Sequence, residues 1–395
     1  MQIPPLWELL ALLSLLSLAV VAISSAAGEY YLRRPVLPGP TPPVSILKPL
    51  KGLDDGLWEN LLAFCDQEYP EFELLFGAED PGDPALALAR RLQRARPDVA
   101  IRVVVCSGQR GRNPKVRVLR GLLPKARHAH VLISDSNTRP GPGYLCATAA
   151  ELRDPAVQMV TNPVVGIAPR AESAGALLEN LHTGVFVNQT AAFVRALSGR
   201  ACVVGKSMLL SKQALEAVGG LRSVASVLAE DYLLGRKFER AGFKVALSPF
   251  PIPTVVEAWS VERFLERHLR WGQMRRRVGL PNFFGELLFN PVLLVTLALL
   301  ARGPLAVSAQ EAAGALAVAL AKVALDARLL GKLRGGPVLL LDAAWIAPKD
   351  LLIAALWPLA LFKRSLSWRG NQLRIGRKSR LFAPPRGPQA VGESA

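Results

Sequence analysis

Long stretches without charge lie near both ends of this chain, and a segment of ordinary charge density separates them. Residues 9–28 form an uncharged run of 20 residues between Glu8 and Glu29. At about 1.5 Å of rise per residue, a helix of this length matches the roughly 30 Å hydrocarbon core of a bilayer. The pattern therefore predicts a membrane-spanning helix over residues 6–28.

A cleaved signal peptide is the alternative interpretation of this run. The small residues Ser24, Ser25 and Ala26 offer a cleavage site. However, no Lys or Arg precedes the run, and it is long for the apolar part of such a peptide. Basic residues follow the helix, so the positive-inside rule predicts that the next part of the chain is cytoplasmic. These residues are Arg33, Arg34, Lys48 and Lys51.

The C-terminal third of the chain turns apolar again over residues 287–301, 305–330 and 338–362. If all three segments crossed the membrane completely, the strongly basic tail would lie outside the cell, against the charge rule. Pro348, Lys349 and Asp350 interrupt the third segment, so we predict a hairpin or re-entrant segment that turns there. The tail then returns to the cytoplasm with Lys363, Arg364, Arg369, Arg374, Arg377, Lys378 and Arg380.

Strand-like and helix-like segments alternate between these apolar regions. Such alternation predicts a parallel sheet with helices on both faces, whose ligands bind beyond the carboxyl ends of the strands. Buried or alternating β-branched runs predict the strands, and periodic apolar positions predict the helices. The predicted strands are 44–47, 72–76, 100–105 and 131–134, and the predicted helices are 57–65, 84–95 and 233–241.

These patterns divide the chain into four parts. Residues 6–28 are the predicted N-terminal membrane helix, and residues 34–284 are a cytoplasmic α/β domain of about 250 residues. Residues 286–362 form the C-terminal membrane segments, and residues 363–395 form a basic cytoplasmic tail. The prediction is a multi-pass protein of the plasma (inner) membrane.

The amino-acid composition supports this division and limits the classes of binding partner that fit the chain. The chain is 51% hydrophobic and carries a net charge of +17, which calls for an anionic partner such as lipid headgroups, nucleic acid or a phosphorylated substrate. Its basic residues are spread along the membrane flanks without an aromatic-interleaved motif, so we expect no nucleic acid partner and an anionic bilayer instead. The four cysteines form no C-x-x-C pair and predict neither a zinc site nor a disulfide framework.

Lysines and carboxylates follow the predicted strands at their carboxyl ends. These residues are Lys48 and Lys51, Asp80 and Asp83, and Asp135. Their convergence predicts a site for phosphate and a divalent cation, because Mg²⁺ or Mn²⁺ binds through one or two carboxylates plus the substrate's phosphates. Asp135 is the candidate metal ligand, although Asp135-Ser136-Asn137 also has the composition of an ordinary turn. Lys115 lies in a loop that is able to meet a diphosphate.

Two later segments add candidate catalytic groups. Glu230 and Asp231 open a helix, where carboxylates also stabilise the helix dipole. Arg267 and Arg270 are spaced i, i+3 on one helical face beside Trp271, an arrangement that is able to hold a pyrophosphate. The same arginines, close to a membrane segment, also fit an interfacial anchor.

Taken in order, these motifs resemble the ceramide glucosyltransferase group of inverting family 2/21 glycosyltransferases. The motifs are Ile46-Leu47-Lys48-Pro49-Leu50-Lys51-Gly52, Gly82-Asp83-Pro84-Ala85, Asn113-Pro114-Lys115, Ser134-Asp135-Ser136, Ala229-Glu230-Asp231-Tyr232, Arg267-x-x-Arg270-Trp271, and Ser367-Trp368-Arg369-Gly370 with Leu373-Arg374. The resemblance covers nearly the whole chain. Hopanoid-associated glycosyltransferases share most of these motifs.

The resemblance implies an α/β GT-A domain, Rossmann-like and nucleotide-sugar-binding, between N- and C-terminal transmembrane helices. It implies transfer of a sugar, glucose, from a UDP-sugar to a membrane lipid, ceramide, with a hopanoid acceptor as the alternative. Asp231 then corresponds to the base, and Asp83, with Asp80 nearby, to the nucleotide pocket. Asp135 matches the metal-associated aspartate, and Arg267, Arg270 and Trp271 match the motif that meets diphosphate and acceptor. Asn137 replaces the second aspartate of many relatives.

Two other classes of protein fit parts of the pattern. A polysaccharide synthase would have more spans around a channel than the charge pattern gives. A non-catalytic membrane scaffold with a decayed GT-A domain would not need Asp135, Asp231 and the Arg-x-x-Arg-Trp motif together.

Overall fold

The computed structural model describes residues 4–368 and 370–383. Arg369 and residues 384–395, which belong to the predicted basic tail, lie outside the described residues. The helices are α1 Leu6–Leu32, α2 Leu57–Cys65, α3 Pro84–Ala95, α4 Pro114–Leu122, α5 Tyr144–Ala149, α6 Ala174–Ser198, α7 Lys212–Ala217, α8 Glu230–Arg240, α9 Val261–Val278, α10 Leu280–Phe284, α11 Pro291–Arg302, α12 Ala309–Arg334, α13 Leu340–Ala343 and α14 Ile346–Phe362. The strands are β1 Val44–Pro49, β2 Phe72–Ala78, β3 Ala100–Val105, β4 His130–Ser134, β5 Val157–Thr161, β6 Val164–Ile167, β7 Ser207–Ser211, β8 Lys244–Leu247, β9 Ile252–Val255, β10 Ser365–Trp368, β11 Asn371–Ile375 and β12 Leu381–Phe382.

A seven-stranded sheet forms the centre of the α/β domain, in the order β3-β2-β1-β4-β7-β5-β8. All the strands and helices predicted from the sequence in this region are confirmed, within a few residues at their ends. The expectation of a wholly parallel sheet is wrong at β7, which pairs antiparallel with β4 and β5. β7 therefore begins where β4 and β5 end, so residues just before β7 join the carboxyl edge of the sheet.

Helix α1 has its large apolar side chains outside and its small polar ones inside. Leu12 and Leu15 are 62% and 55% exposed, whereas Ser14 and Ser17 are 1% and 0% exposed. Small residues at contacts with other helices and leucines on the outer surface are typical of membrane helices. By length and composition, α1 and the stretch Leu340–Phe362, which contains α13 and α14, are able to cross a membrane.

The predicted turn at Pro348 is wrong, because α14 continues through it. Pro348 lies in the first turn of α14, where a helix does not need the missing N–H. Lys349 and Asp350 are buried and pair with each other, and Asp350 also pairs with Lys322 of α12. Lys322 in turn pairs with Asp326 one turn further along α12. The charges that indicated a break in the helix are thus neutralised between two helices.

Helix α11 is shorter than the span predicted between residues 287 and 301. Its 12 residues extend about 18 Å, short of the roughly 30 Å hydrocarbon core. Helix α12, with 26 residues, is long enough at about 39 Å. Its last turn lies against the α/β domain, where Arg334 donates to the carbonyl oxygen of Gly166 at 3.2 Å.

The first half of the basic tail is folded and packs on the α/β domain. Strands β10, β11 and β12 form a small antiparallel sheet. Leu228 donates its N–H to the carbonyl oxygen of Ser379 at 2.9 Å, and Ala229 donates its N–H to the Ser379 hydroxyl at 3.2 Å. These contacts hold the segment that leads directly into Glu230 and Asp231.

Candidate active site

Asp135 lies at the carboxyl end of β4 between two lysines. Its Oδ1 is 2.8 Å from Lys115 Nζ, and its Oδ2 is 3.1 Å from Lys206 Nζ. Burial alone would raise the pKa of Asp135, but the two ammonium groups outweigh burial, so the pKa lies well below its ordinary value. Asp135 is therefore ionised, and it remains 24% exposed.

Asp231 joins the same cluster from the first turn of α8. Its Oδ2 accepts from the Gly205 N–H at 2.7 Å, and its Oδ1 accepts from the Tyr232 N–H at 2.8 Å. A Cβ at Gly205 would lie 2.9 Å from both Asp231 Oδ2 and Lys115 Nζ, so a larger residue here would displace the end of one of these side chains. The backbone thus fixes the direction of the Asp231 carboxylate.

Glu230, next to Asp231, is buried beneath the cluster. Its Oε1 is 3.2 Å from Lys115 Nζ, and its Oε2 accepts from Asn113 Nδ2 at 3.0 Å. Burial raises the pKa of Glu230 to about 7; Lys115 opposes the rise and Asp231 adds to it. Lys115 thus links the carboxylates of three residues: Asp135, Glu230 and, through shared contact with Gly205, Asp231.

The raised pKa of Glu230 predicts a pH-dependent stability. The folded protein binds this proton more tightly than the unfolded chain, so the free energy of unfolding falls as the pH rises through about 7. We expect the melting temperature in detergent to decrease between about pH 4.5 and 7 and to level off above that, and Glu230→Gln to remove much of that decrease. Exposed Glu216→Gln is the matched control and should keep the wild-type slope. An unchanged slope in Glu230→Gln would contradict the assignment.

Lys48, predicted to bind the nucleotide, lies beneath the site. It is 0% exposed, and its Nζ donates to the Asp135 carbonyl oxygen and, at 3.0 Å, to Thr138 Oγ1. The Nζ also lies 3.7 Å from the centre of the Phe64 ring. Direct contact with a nucleotide is wrong for this geometry, because β1 is central in the sheet and buried along its length. Lys48 instead fixes the loop that carries Asp135.

Asp80 and Asp83 follow β2, so they lie at the same carboxyl edge of the sheet as Asp135. Asp83 caps α3 by accepting from the Ala85 N–H at 2.9 Å, and it also accepts from the Gly52 N–H at 3.0 Å. This bridge ties the loop after β1, which includes exposed Lys51, to the start of α3. Asp80 is exposed and accepts from the Gly82 N–H at 2.8 Å.

Helix α9 carries the Arg-x-x-Arg-Trp motif, and its two arginines have different surroundings. Arg267 lies against the rings of Trp271 and Trp259, with its Cζ 4.6 and 5.3 Å from their centres. Its positive charge also acts on Lys206, whose pKa is lowered chiefly by burial, with Asp135 opposing and Arg267 contributing. Arg270 instead donates to the Ser367 carbonyl oxygen of β10 at 3.4 Å.

The site offers few protein ligands for a divalent cation. Among the described residues no group of three or more His, Cys, Asp or Glu side chains is arranged to hold a metal ion. Asp135 offers one partly exposed carboxylate, and Asn137 Oδ1 accepts from Lys206 at 2.7 Å. This set fits a cation that is held by Asp135 and mainly by the phosphates of a bound nucleotide.

Three residues at or near the site were given no role of their own from the sequence. Lys206 and Glu179, which pairs with Arg267, come from segments without a recognisable motif, and Glu230 was noted only as the acidic neighbour of Asp231 at the start of a helix. Lys206 reaches the site because β7 runs antiparallel. The signal that was available for Lys206 was Gly205-Lys206 immediately before a buried strand, which by itself is not specific.

An α/β sheet with acids and lysines at its carboxyl edge, together with apolar helices outside it, is the architecture of a membrane-associated glycosyltransferase with a GT-A domain. The family model for Glycosyl transferase family 21 matches residues 9–381. The chain therefore belongs to this family, which confirms the resemblance seen in its motifs.

Curated relatives are ceramide glucosyltransferases. The chain is 30% identical over 248 residues to ceramide glucosyltransferase 1 of Caenorhabditis elegans, covering 62% of this chain and 53% of the relative. It is 29% identical over 239 residues to ceramide glucosyltransferase 3 of the same organism, covering 59% and 50%. The chain thus spans about half the length of these relatives. Among solved structures, a mannosyltransferase from Pyrobaculum calidifontis in complex with GDP-Man and Mn²⁺ aligns with a TM-score of 0.48 at 19% identity, covering 88% of this chain and 99% of that one.

Proposed function

We propose that this protein is an inverting glycosyltransferase that moves glucose from UDP-glucose to the hydroxyl group of ceramide. The observation that carries the proposal is the cluster of Asp135, Lys115, Lys206 and Asp231 at the carboxyl edge of the sheet. A carboxylate base beside a set of cations is what displacement of a nucleoside diphosphate requires. The names of the curated relatives support glucose and ceramide.

A lipid acceptor is supported by the position of the apolar helices. The last turn of α1 contacts the same edge of the sheet, where the Tyr31 hydroxyl donates to the carbonyl oxygen of Leu247 at the end of β8. The outward leucines of α1 need a bilayer, so the active site lies close to the headgroup plane. We therefore expect Asp231 to meet the hydroxyl group of a lipid that presents it at that plane.

The reaction is a single displacement at the anomeric carbon. Asp231 takes the proton of the acceptor hydroxyl as its oxygen forms the new bond to carbon on one face of the sugar. The bond from the anomeric carbon to the diphosphate oxygen breaks on the opposite face, which inverts the centre. Lys115, Lys206 and Arg267 stabilise the negative charge on the departing diphosphate. A Mg²⁺ or Mn²⁺ ion held by Asp135 and the phosphates would supply further positive charge.

The assay that tests this proposal uses purified protein in detergent with labelled UDP-sugars and two acceptors, ceramide and a hopanoid polyol. We expect transfer from UDP-glucose to ceramide, with a β-linked product from the α-linked donor. If sugar is transferred to the hopanoid and not to ceramide, the proposed acceptor is wrong but the proposed reaction stands. Retained stereochemistry, or no transfer from any nucleotide sugar, would contradict the proposal.

We also propose that the α/β domain and the C-terminal tail both face the cytoplasm, where nucleotide sugars are available. The contact of Ser379 with Leu228 and Ala229 supports a shared side for the two, because a contact cannot cross the bilayer. Lys/Arg bias near the membrane supports the cytoplasmic side. Reporters fused within residues 34–284 and after the C-terminus should both read cytoplasmic. External labelling of a C-terminal tag together with a cytoplasmic reading within residues 34–284 would contradict the shared side.

A further inference from the structure

Glu179 is a buried carboxylate on α6 that contacts the arginine motif from another helix. It is 1% exposed, and its Oε1 lies 3.1 Å from Arg267 Nε. Its Oε2 lies 2.9 Å from His268 Nε2, and Thr183 Oγ1 donates to Oε1 at 2.9 Å. Burial raises the pKa of Glu179, but Arg267 and His268 outweigh burial and lower it to about 2. The carboxylate is therefore charged at any working pH.

Arg267 contacts Glu179 and two aromatic rings, and part of its side chain stays exposed. Glu179 approaches Nε, while the rings of Trp259 and Trp271 lie against the guanidinium group. The side chain nevertheless remains 19% exposed. An arginine held at Nε and against two rings loses little further conformational freedom when its remaining N–H groups bind a phosphate.

A purely structural role does not require a charge at position 179. Replacing a buried ion pair by apolar residues is often neutral or stabilising, so such a pair is weak evidence for stability alone. Thr183 and His268 complete the hydrogen bonds of this carboxylate, which keeps its orientation fixed. These contacts are suited to fixing the orientation of the Arg267 guanidinium group, which packing alone does not require.

We infer that Glu179 is a positioning residue that holds the Arg267 guanidinium group in place for the departing diphosphate. The inference rests on the proposed function, since it assumes that Arg267 meets the donor. It names a residue of α6, outside the motifs of the sequence, as part of donor recognition.

A double-mutant cycle tests this inference with Glu179→Gln, Arg267→Gln and the double variant. The readouts are the Kd of UDP by calorimetry, kcat and KM for the donor, and the melting temperature in detergent. We expect each single variant to weaken UDP binding by roughly 10-fold or more, the range for hydrogen bonds to charged groups. We expect Glu179→Gln to have less than about a 2-fold further effect once Arg267 is absent, because coupled residues are not additive.

Thr190→Val is the matched control on the same helix. The Thr190 hydroxyl is buried without a hydrogen-bond partner, so its removal should leave UDP affinity unchanged. If Glu179→Gln fails to fold, Glu179→Asp, which keeps the charge and shortens its reach, takes its place in the cycle and should give a partial loss. If the effects of the two substitutions on UDP affinity multiply fully in the double variant, the positioning role is wrong. Normal UDP affinity and kcat in Arg267→Gln would instead count against the proposed role of Arg267.

Discussion

Asp231→Asn is expected to lower kcat by at least about 100-fold, because a positioned base typically contributes 10²–10⁴-fold. The Asp231 carboxylate is fixed by the N–H groups of Gly205 and Tyr232. The asparagine amide has one oxygen and keeps one of these contacts at most. Donor affinity should change only a few-fold, since the base acts on the acceptor. Steady-state kinetics with UDP-glucose and ceramide, together with calorimetry for UDP, would measure both effects.

Asp98→Asn serves as the control for this variant. Asp98 is an exposed carboxylate that pairs with Arg96. It lies just before β3, so it is far from the carboxyl edge of the sheet, where Asp231 is. Its replacement should leave kcat unchanged. Retention of more than about a tenth of the wild-type rate in Asp231→Asn would rule out the base assignment.

Asp135→Ala is expected to reduce activity by about 10²–10³-fold, comparable to the loss of a group that stabilises charge in the transition state. The change removes the carboxylate that lies between Lys115 and Lys206, so the two ammonium groups repel each other and, among the described residues, only Lys115 keeps a carboxylate partner, Glu230. It also removes the single candidate protein ligand for a divalent cation. Chelation by EDTA should lower wild-type activity, added Mn²⁺ or Mg²⁺ should restore it, and Asp135→Ala should not respond to added metal.

Asn137→Asp provides the informative counterpart to this variant. A second carboxylate two residues from Asp135 would add a metal ligand, so less Mn²⁺ should be needed for half-maximal activity. Full wild-type activity after exhaustive chelation would disprove the metal requirement. In that case Lys115, Lys206 and Arg267 alone would neutralise the diphosphate.

The sequence by itself predicted the first four strands, their shared carboxyl edge and the chemistry of the motifs. Buried β-branched runs and periodic apolar positions are local signals, so β1 to β4 and the helices α2, α3 and α8 followed from residues close together in the chain. Lys115, predicted to lie in a loop, instead lies in the first turn of α4. The carboxyl-edge rule predicted that Asp135 lies at one edge of the sheet with the other strand-end acids and lysines. Lys115 and Asp231 were instead assigned to the site by the motifs of the resembling family. The charge-free run over residues 9–28 likewise identified α1, because membrane length is a property of a continuous segment.

Tertiary structure alone decided which charges face the site and which are neutralised elsewhere. Lys48 is a strand-end lysine by sequence, yet a central strand buries it beneath Asp135. Lys349 and Asp350 indicated a break in the apolar segment, yet Lys322 of α12 allows α14 to continue through them. Lys206 reaches the cluster through an antiparallel strand, and Glu179 reaches Arg267 from a neighbouring helix. Burial and charge pairing depend on residues far apart in the chain, and no local pattern of the sequence contains them.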